Sequence, residues 1–276
     1  MSAGIIWLAS YPKSGNTWLR AFLANLFSGA DEPFDVNRLA DFTLSDMRAG
    51  YYEEVAHRPI GGIEAREVNR LRPEVHRYLA SQRPDTVFVM THHAIGHVDD
   101  VATITPEVTE GAIYIVRNPL DLVISYADHT GLTLDDAIDA INRPDNFLDS
   151  QGRVVFQYLS SWSEHVKSWT TAPGLTHHLM RYEDMLDDAA LTFGALAGFL
   201  GLSVEAEIME RAIRFSAFAE LKKQEKAGGF RERSARAEAF FREGRQGVWR
   251  EVLTPAQVDR LVEAHGETMA RYGYLP

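Results

Sequence analysis

The sequence contains no cysteine among its 276 residues. Disulfide bonds, zinc sites built on thiolates and cysteine nucleophiles are therefore excluded. Long apolar runs are also missing, since no stretch approaches the roughly 18 consecutive apolar residues that indicate a membrane-spanning helix. The apolar run in MSAGIIWLASYPKSG is short and has no basic residues before it, so it does not predict a secretory signal peptide. We expect a cytoplasmic protein without a membrane partner.

Positive charge is scarce. Lys and Arg number 28 against 39 Asp and Glu, which gives a formal net charge of -11 and a pI near 5.4. Nucleic-acid-binding domains are usually basic, so no nucleic-acid partner is expected. An acidic protein that binds an anion must gather its positive charge locally. An anion site in this chain would therefore be a local group of Lys or Arg residues.

Apolar runs and amphipathic stretches alternate along the chain. Short runs rich in β-forming residues predict buried strands at Ile5 to Ala9, Val87 to Met90, Ala112 to Val116 and His178 to Met180. Helices are predicted after the first strand, from Asn118 and Pro119 as N-cap and first residue, over 187–200, and from Thr254 onward. This alternation predicts an α/β fold with a parallel sheet flanked by helices, in a single domain over residues 1–276.

Three segments do not fit this pattern: residues 28–83 mix helix and loop signals, 129–155 are polar and carry several turn formers, and 222–247 are highly charged around two adjacent glycines. Binding residues are often carried by loops on a rigid scaffold. The three segments are therefore candidate walls or lids of a substrate site.

The first candidate site is the loop that reads YPKSGNTW, between a predicted strand and a predicted helix. Backbone N–H groups and the helix dipole form an anion cradle at such a place. Gly15 allows a close backbone approach, Lys13 adds a charge and Thr17 adds a hydroxyl donor. The common GxxxxGK(S/T) phosphate loop is absent, because the lysine here precedes the glycine. The alternative is an ordinary strand–helix turn with a surface lysine.

The second candidate site combines Arg117 and Ser125 in IVRNPLDLVISY. Arg117 follows a strand at the carboxyl end, where open α/β sheets bind ligands. Ser125 falls two turns into the next helix, so the pair can hold a second phosphate by charge-assisted hydrogen bonds. The alternative is an ion pair between Arg117 and Asp121.

His92, in VFVMTHHAIGH, also directly follows a predicted strand. A histidine that titrates near neutral pH suits a general base. The alternative is a structural histidine. His93 and His97 have the spacing of zinc ligands on a helix, but without cysteine or an HExxH pattern no metal is expected.

The last candidate is FREGRQGVW, where arginines alternate with Gly244 and Gly247. This composition suits a backbone clamp for an anion, and the alternative is a solvated charged loop.

In family order, from residue 5 to about residue 254, these motifs resemble those of the cytosolic sulfotransferases. YPKSGNTW is similar to that family's YPKSGTTW loop, MTHHA to its KTH segment and FREGRQGVW to its RKGxxGDW signature. IVRNPLDLVISY, RYEDM and FSAFAEL also match family segments. The acidic chain is most similar to bacterial members that sulfate natural products. The resemblance implies a P-loop-like phosphosulfate-binding loop and sulfuryl transfer from 3′-phosphoadenosine-5′-phosphosulfate (PAPS) to a hydroxyl of a small-molecule acceptor, without a metal.

The resemblance also implies the role of each residue. Lys13 and His92 would be catalytic, with His92 as the base. The donor and its product, 3′,5′-adenosine bisphosphate (PAP), would contact Lys13, Ser14, Gly15, Asn16, Thr17, Trp18, Arg117, Ser125, Tyr182, Ser216, Phe218, Arg242 and Gly244. Trp18 and Phe218 would sandwich the adenine, and for both the alternative is core packing.

Several positions depart from the family pattern. Met90 replaces the lysine of KTH, Glu243 replaces the second basic residue of RKG, and Arg245 stands near enough in sequence to compensate. The dimer motif is degraded at Arg250, Thr254, Pro255 and Asp259, which leaves the oligomeric state open. The sequence does not name the acceptor. A nucleotide-dependent small-molecule kinase and a catalytically silent nucleotide-binding module remain the alternatives.

Overall fold

The computed structural model describes residues 4–61, 64–150, 152–234 and 236–276. The strands are β1 Ile5–Ser10, β2 Leu44–Ser45, β3 Val87–Thr91, β4 His97–Val98, β5 Val101–Ala102, β6 Thr109–Val116, β7 Phe147–Leu148, β8 Gln157–Tyr158 and β9 His177–Arg181. The helices are α1 Asn16–Ser28, α2 Leu39–Phe42, α3 Ala49–Ala56, α4 Ala65–Ala80, α5 Pro119–Thr130, α6 Leu134–Asn142, α7 Trp162–Thr170, α8 Tyr182–Asp187, α9 Ala189–Phe199, α10 Ala206–Ser216, α11 Phe218–Gly228, α12 Trp249–Val252 and α13 Pro255–Tyr272.

The main sheet has the strand order β2-β3-β1-β6-β9. β1 runs parallel to β3, with Ile5 opposite Val87 and Ala9 opposite Thr91, and β2 is also parallel to β3. The nearly continuous burial of β1 and β3 explains their apolar sequences, because the strands of a parallel sheet are covered on both faces. The predicted α/β fold, with a parallel sheet flanked by helices, is confirmed.

The four predicted strands are present in the main sheet, and the fifth strand of that sheet, β2, was not predicted. A strand of two residues is too short to show a hydrophobic period. The helix starts agree with their capping residues: the Asn118 side chain accepts a hydrogen bond from the Leu120 N–H, and Thr254 forms a capping box with Gln257. Of the segments that resisted prediction, 28–83 contains α3 and the whole of α4, and 129–155 contains α6.

The contacts between Cα atoms group the chain into two compact units. The first unit comprises residues 1–12, 43–114 and 140–179, and its buried tryptophans are Trp7, Trp162 and Trp169. The second unit comprises residues 13–42, 115–139 and 180–276, and in its core the rings of Phe22 and Phe193 stack at 3.9 Å. The division falls within β6 and β9. A single sulfotransferase domain over residues 1–276 stays a prediction.

No helix in the described part of the chain is long and apolar enough to cross a membrane.

Candidate active site

The loop between β1 and α1 has the backbone conformation of an anion cradle. Lys13 and Gly15 both lie in the left-handed region, with φ of 71° and 105°. A non-glycine residue there is strained, and such strain is typically found at ligand sites. Gly15 is also the N-cap of α1 and makes no side-chain cap hydrogen bond within the described residues. The positive end of the helix dipole, which attracts anions, therefore carries no side-chain cap.

Two buried polar atoms, one in this loop and one on α1, support the same interpretation. The Ser14 hydroxyl and the Trp18 indole N–H have no hydrogen-bond partner in the part of the chain that the structure describes. A buried polar atom without a partner costs stability, so partners outside the protein are expected. Ser14 and Trp18 thus fit a polar ligand at the cradle.

Arg117 leaves the end of β6 and holds the loop in place. Its Nη1 atom donates to the Lys13 carbonyl oxygen at 2.8 Å, and its guanidinium lies 4.4 Å from the centre of the Tyr182 ring. The Nε atom has no partner among the described residues. The alternative ion pair with Asp121 is wrong, because the Asp121 carboxylate instead accepts hydrogen bonds from the Gly247 and Trp249 N–H groups.

Tyr182 packs directly against the loop. A Cβ atom added to Gly15 would lie 2.7 Å from the Tyr182 ring, so glycine is required by this contact as well as by its φ. The Trp18 ring stands nearly perpendicular to the Tyr182 ring at 6.1 Å. The structure therefore brings Lys13, Gly15, Trp18, Arg117 and Tyr182 together within the second unit.

The Lys13 ammonium is enclosed by this group. It lies 3.8 Å from the centre of the Phe240 ring. Burial, followed by the positive charge of Arg117, lowers the pKa of Lys13 from 10.5 to about 8, although the carboxylates of Asp128 and Glu225 oppose the shift. An added anion would favour the charged form and raise this pKa.

The segment after α11 is held against that helix by Glu225, whose carboxylate accepts hydrogen bonds from the N–H groups of Phe240 and Phe241. Arg242 forms an ion pair with Asp128 at 3.2 Å, with both side chains partly exposed. The expectation that the segment becomes ordered only with the donor stays a prediction.

Two residues at or near a departure from the family pattern, Glu243 and Arg245, form ion pairs in the structure. Glu243 pairs with Arg245 at 3.3 Å, and both side chains are exposed. Arg245 also makes a two-point contact with Glu251, at 2.7 and 2.8 Å. Arg245 would have to leave these two carboxylates to meet a phosphate, and its compensation for Glu243 stays a prediction.

Five other predicted contacts receive less support. Trp18 and Phe218 both pack on a cluster of buried apolar side chains, which agrees with the core-packing alternative. Gly244 lies so close to the Phe218 ring that an added Cβ would come within 2.5 Å of it. The buried Ser216 hydroxyl donates to the Ala212 carbonyl of its own helix, and Ser125 is half-buried on α5. Their roles toward a nucleotide, like those of Asn16 and Thr17, stay predictions.

His92 belongs to the first unit, directly after β3. Its Nδ1 atom lies 2.7 Å from the Ser10 carbonyl oxygen. A carbonyl oxygen can only accept, so Nδ1 carries the proton and Nε2 carries the lone pair of the neutral ring. Ser10 therefore prepares Nε2 of His92 to take a proton.

His93 has different surroundings from His92. Its ring is fully buried, and Nδ1 accepts a hydrogen bond from the Tyr158 N–H at 3.0 Å. Burial, with Arg72 nearby, holds the pKa of His93 well below its usual range. These contacts are typical of a structural histidine. The described residues contain no cluster of His, Cys, Asp and Glu that could hold a metal ion.

Sequence reasoning missed several residues that contact the candidate residues of each unit. Ser10, Asp128, Glu225 and Phe240 act through contacts that no local pattern reveals, although Ser10 and Phe240 lie next to motifs that were recognised. For Ser10 and Phe240, the available indication was their position directly before YPKSGNTW and FREGRQGVW.

The chain resembles known proteins over nearly its whole length. A family model described as the sulfotransferase domain matches residues 4–273. The 3-alpha-hydroxysteroid sulfotransferase of Cavia porcellus is 24% identical over 95% of this chain and 83% of its own. The mouse sulfotransferase SULT7A1, complexed with PAP, is 22% identical with a TM-score of 0.61 over 98% of this chain and 86% of that chain. Retinol dehydratase, in complex with androsterone and the inactive cofactor PAP, is 18% identical with a TM-score of 0.66 over 98% of this chain and 81% of that chain.

Proposed function

Because this chain belongs to the sulfotransferase domain family, we propose that it transfers a sulfuryl group from PAPS to a hydroxyl of a small-molecule acceptor. The observation that carries the proposal is the strained loop at Lys13, with its uncapped helix end and the partnerless polar atoms of Ser14 and Arg117. Similar folds are known with PAP. We assign this activity to the whole chain, residues 1–276, in the cytoplasm.

The donor supplies an activated sulfuryl group on a phosphate that leaves as an anion. Lys13 and the N–H groups at the start of α1 stabilise the negative charge that builds on that leaving phosphate. Arg117, with Ser125, Arg242 and Gly244, binds the second phosphate. Trp18, Tyr182, Ser216 and Phe218 contact the nucleoside. Ser14, Gly15, Asn16 and Thr17 complete the cradle.

His92 acts as the general base of the proposed reaction. Its Nε2 atom takes the proton of the acceptor hydroxyl as the oxygen attacks sulfur, while the bond from sulfur to the bridging oxygen breaks. The products are a sulfate ester, PAP and a protonated His92. Because Ser10 accepts the Nδ1 proton, the imidazolium that forms keeps one hydrogen bond throughout.

The acceptor is a small molecule with a hydroxyl group. Names among the similar proteins include hydroxysteroids, and one similar structure holds androsterone. These names support a compact apolar alcohol or phenol as the first acceptor class to screen.

Ligand-induced stabilisation tests donor binding. PAP at 100 times its Kd should stabilise the fold by about 2.7 kcal/mol, which raises the Tm of a chain of this size by roughly 5–10 °C. Adenosine 5′-monophosphate has no 3′-phosphate for Arg117 and should shift the Tm much less. Differential scanning fluorimetry at matched nucleotide concentrations makes the comparison.

Equal shifts with both nucleotides would remove the assignment of Arg117 and Ser125. Turnover from PAPS that proceeds without magnesium separates the proposal from a kinase, because phosphoryl transfer to a hydroxyl needs the ion. No turnover with any hydroxyl acceptor, despite PAP binding, would indicate a silent binding module.

Asp128 should weaken PAP binding in the native chain. Its carboxylate forms an ion pair with Arg242, and its negative charge also acts on Lys13, whose pKa it raises. Asp128→Asn should therefore tighten PAP about fivefold at low salt, since a partly exposed ion pair is worth up to about 1 kcal/mol. The gain should shrink as salt screens the charges. Isothermal titration calorimetry at two salt concentrations measures both effects.

Asp135→Asn is the matched control, because Asp135 pairs with Arg260 of α13 and not with a residue of the candidate site. Its PAP affinity should equal that of the unmodified protein. If Asp128→Asn binds PAP more weakly, the carboxylate supports the binding site, and its ion pair with Arg242 does not compete with PAP.

A further inference from the structure

The peptide of His92 is anchored by a second histidine. His165 is fully buried on α7, and its Nε2 atom lies 3.0 Å from the His92 carbonyl oxygen. This oxygen can only accept, so Nε2 of His165 carries the proton. His92 is thus held at its backbone by His165 and at its ring by Ser10.

Tyr114 contacts the other ring nitrogen of His165, whose tautomer the His92 carbonyl oxygen determines. Its hydroxyl lies 2.8 Å from Nδ1 of His165, and both side chains are completely buried. Burial lowers the pKa of His165 to about 3, so the ring is neutral and Nδ1 is an acceptor for the Tyr114 hydroxyl. One tautomer satisfies both partners, and the other would place two lone pairs against each other at the His92 carbonyl.

The surroundings leave His165 little freedom to move. The Tyr11 ring meets it edge to face at 5.2 Å, and the Tyr114 ring lies nearly parallel to Trp169 at 6.2 Å. The Trp169 indole N–H donates to the His93 carbonyl oxygen at 2.8 Å. The two consecutive carbonyl groups after β3 are therefore fixed by two donors of α7.

We propose that His165 is a positioning residue: by donating to the His92 carbonyl it orients the base, and Tyr114 supports it by donating to its Nδ1 atom. This role rests on the proposed function of His92 as general base. A catalytic group displaced by about 1 Å can lose about 10²-fold in rate. The positioning is needed in the transition state and has no part in donor binding.

Kinetics of four variants test this proposal. His165→Leu should lower kcat by about 10²-fold, with the PAP affinity unchanged. His165→Gln, which can present an N–H near the same point, should recover most of kcat. Tyr114→Phe should lower kcat by about fivefold, as expected for one lost hydrogen bond. Tyr52→Phe removes another fully buried hydroxyl of the same unit, outside the described hydrogen bonds of His165, and should leave kcat unchanged.

A second measurement does not depend on activity. Imidazole ¹⁵N–¹H spectra should show His92 as the Nδ1–H tautomer in the unmodified protein and in Tyr52→Phe, and as a mixture in His165→Leu. Tyr114→Phe gives the same test with a milder change if His165→Leu does not fold.

The two proposals fail in different ways. Unchanged His92 spectra and unchanged kcat in His165→Leu or Tyr114→Phe would overturn the positioning role. Full turnover by His92→Ala would overturn the proposed base, and with it the catalytic meaning of any change in the spectra.

Discussion

Replacing His92 by alanine should lower kcat by about 10²–10⁴-fold, the range for a lost general base. PAP binding should be unchanged, because no donor contact is assigned to His92 and a base acts in the transition state. Single-turnover rates with saturating PAPS and a phenolic acceptor, together with calorimetric PAP titration, measure the two quantities separately.

His93→Asn is the matched control for His92→Ala. Asparagine keeps an acceptor for the Tyr158 N–H that now bonds to Nδ1 of His93. This variant should lose some stability and keep most of kcat, because the His93 ring is buried and its low pKa makes it a poor base near neutral pH. An inactive His93→Asn beside an active His92→Ala would mean that the two histidines have been exchanged.

The sequence was sufficient for the parts of this protein that depend on local patterns. The apolar run at Ile5 and the glycine-containing loop after it predicted β1, the cradle and α1. Asn118 followed by Pro119 predicted the start of α5, since both the cap and the fixed φ of proline are local properties. His92 and Arg117 were proposed as site residues because each directly follows a predicted strand.

The residues that support the site could not be predicted in the same way. Ser10 and His165 meet His92 across 82 and 73 positions of sequence. Asp128 reaches Arg242 only because α5 and the segment after α11 come together within the second unit. Such pairs are set by tertiary packing, and one sequence contains no periodicity that reports them. For the same reason, the sequence suggested an ion pair between Arg117 and Asp121, which is close in sequence, and the structure shows a different partner.

The low pKa of Lys13 predicts how PAP affinity depends on pH. Without ligand the ammonium loses its proton near pH 8, because burial and Arg117 disfavour the charge. A bound anion favours the charged form, so binding above pH 8 takes up a proton. Affinity should then fall by up to about tenfold per pH unit above 8. Lys13→Arg stays charged and should show no break near pH 8.

Lys13→Ala completes the test by removing the charge at every pH. The φ of 71° is equally unfavourable for both side chains, so the loop backbone is not a new source of strain. PAP affinity should lose its break near pH 8, and kcat should fall by about 10²–10³-fold, as when one donor to a developing oxyanion is removed. Calorimetry in two buffers of different ionisation enthalpy, from pH 7 to 10, counts the proton taken up.

A fall in donor affinity with an unchanged kcat would restrict Lys13 to binding. An unaltered break in Lys13→Arg would assign the titration to another group, and Lys13 would then be charged throughout.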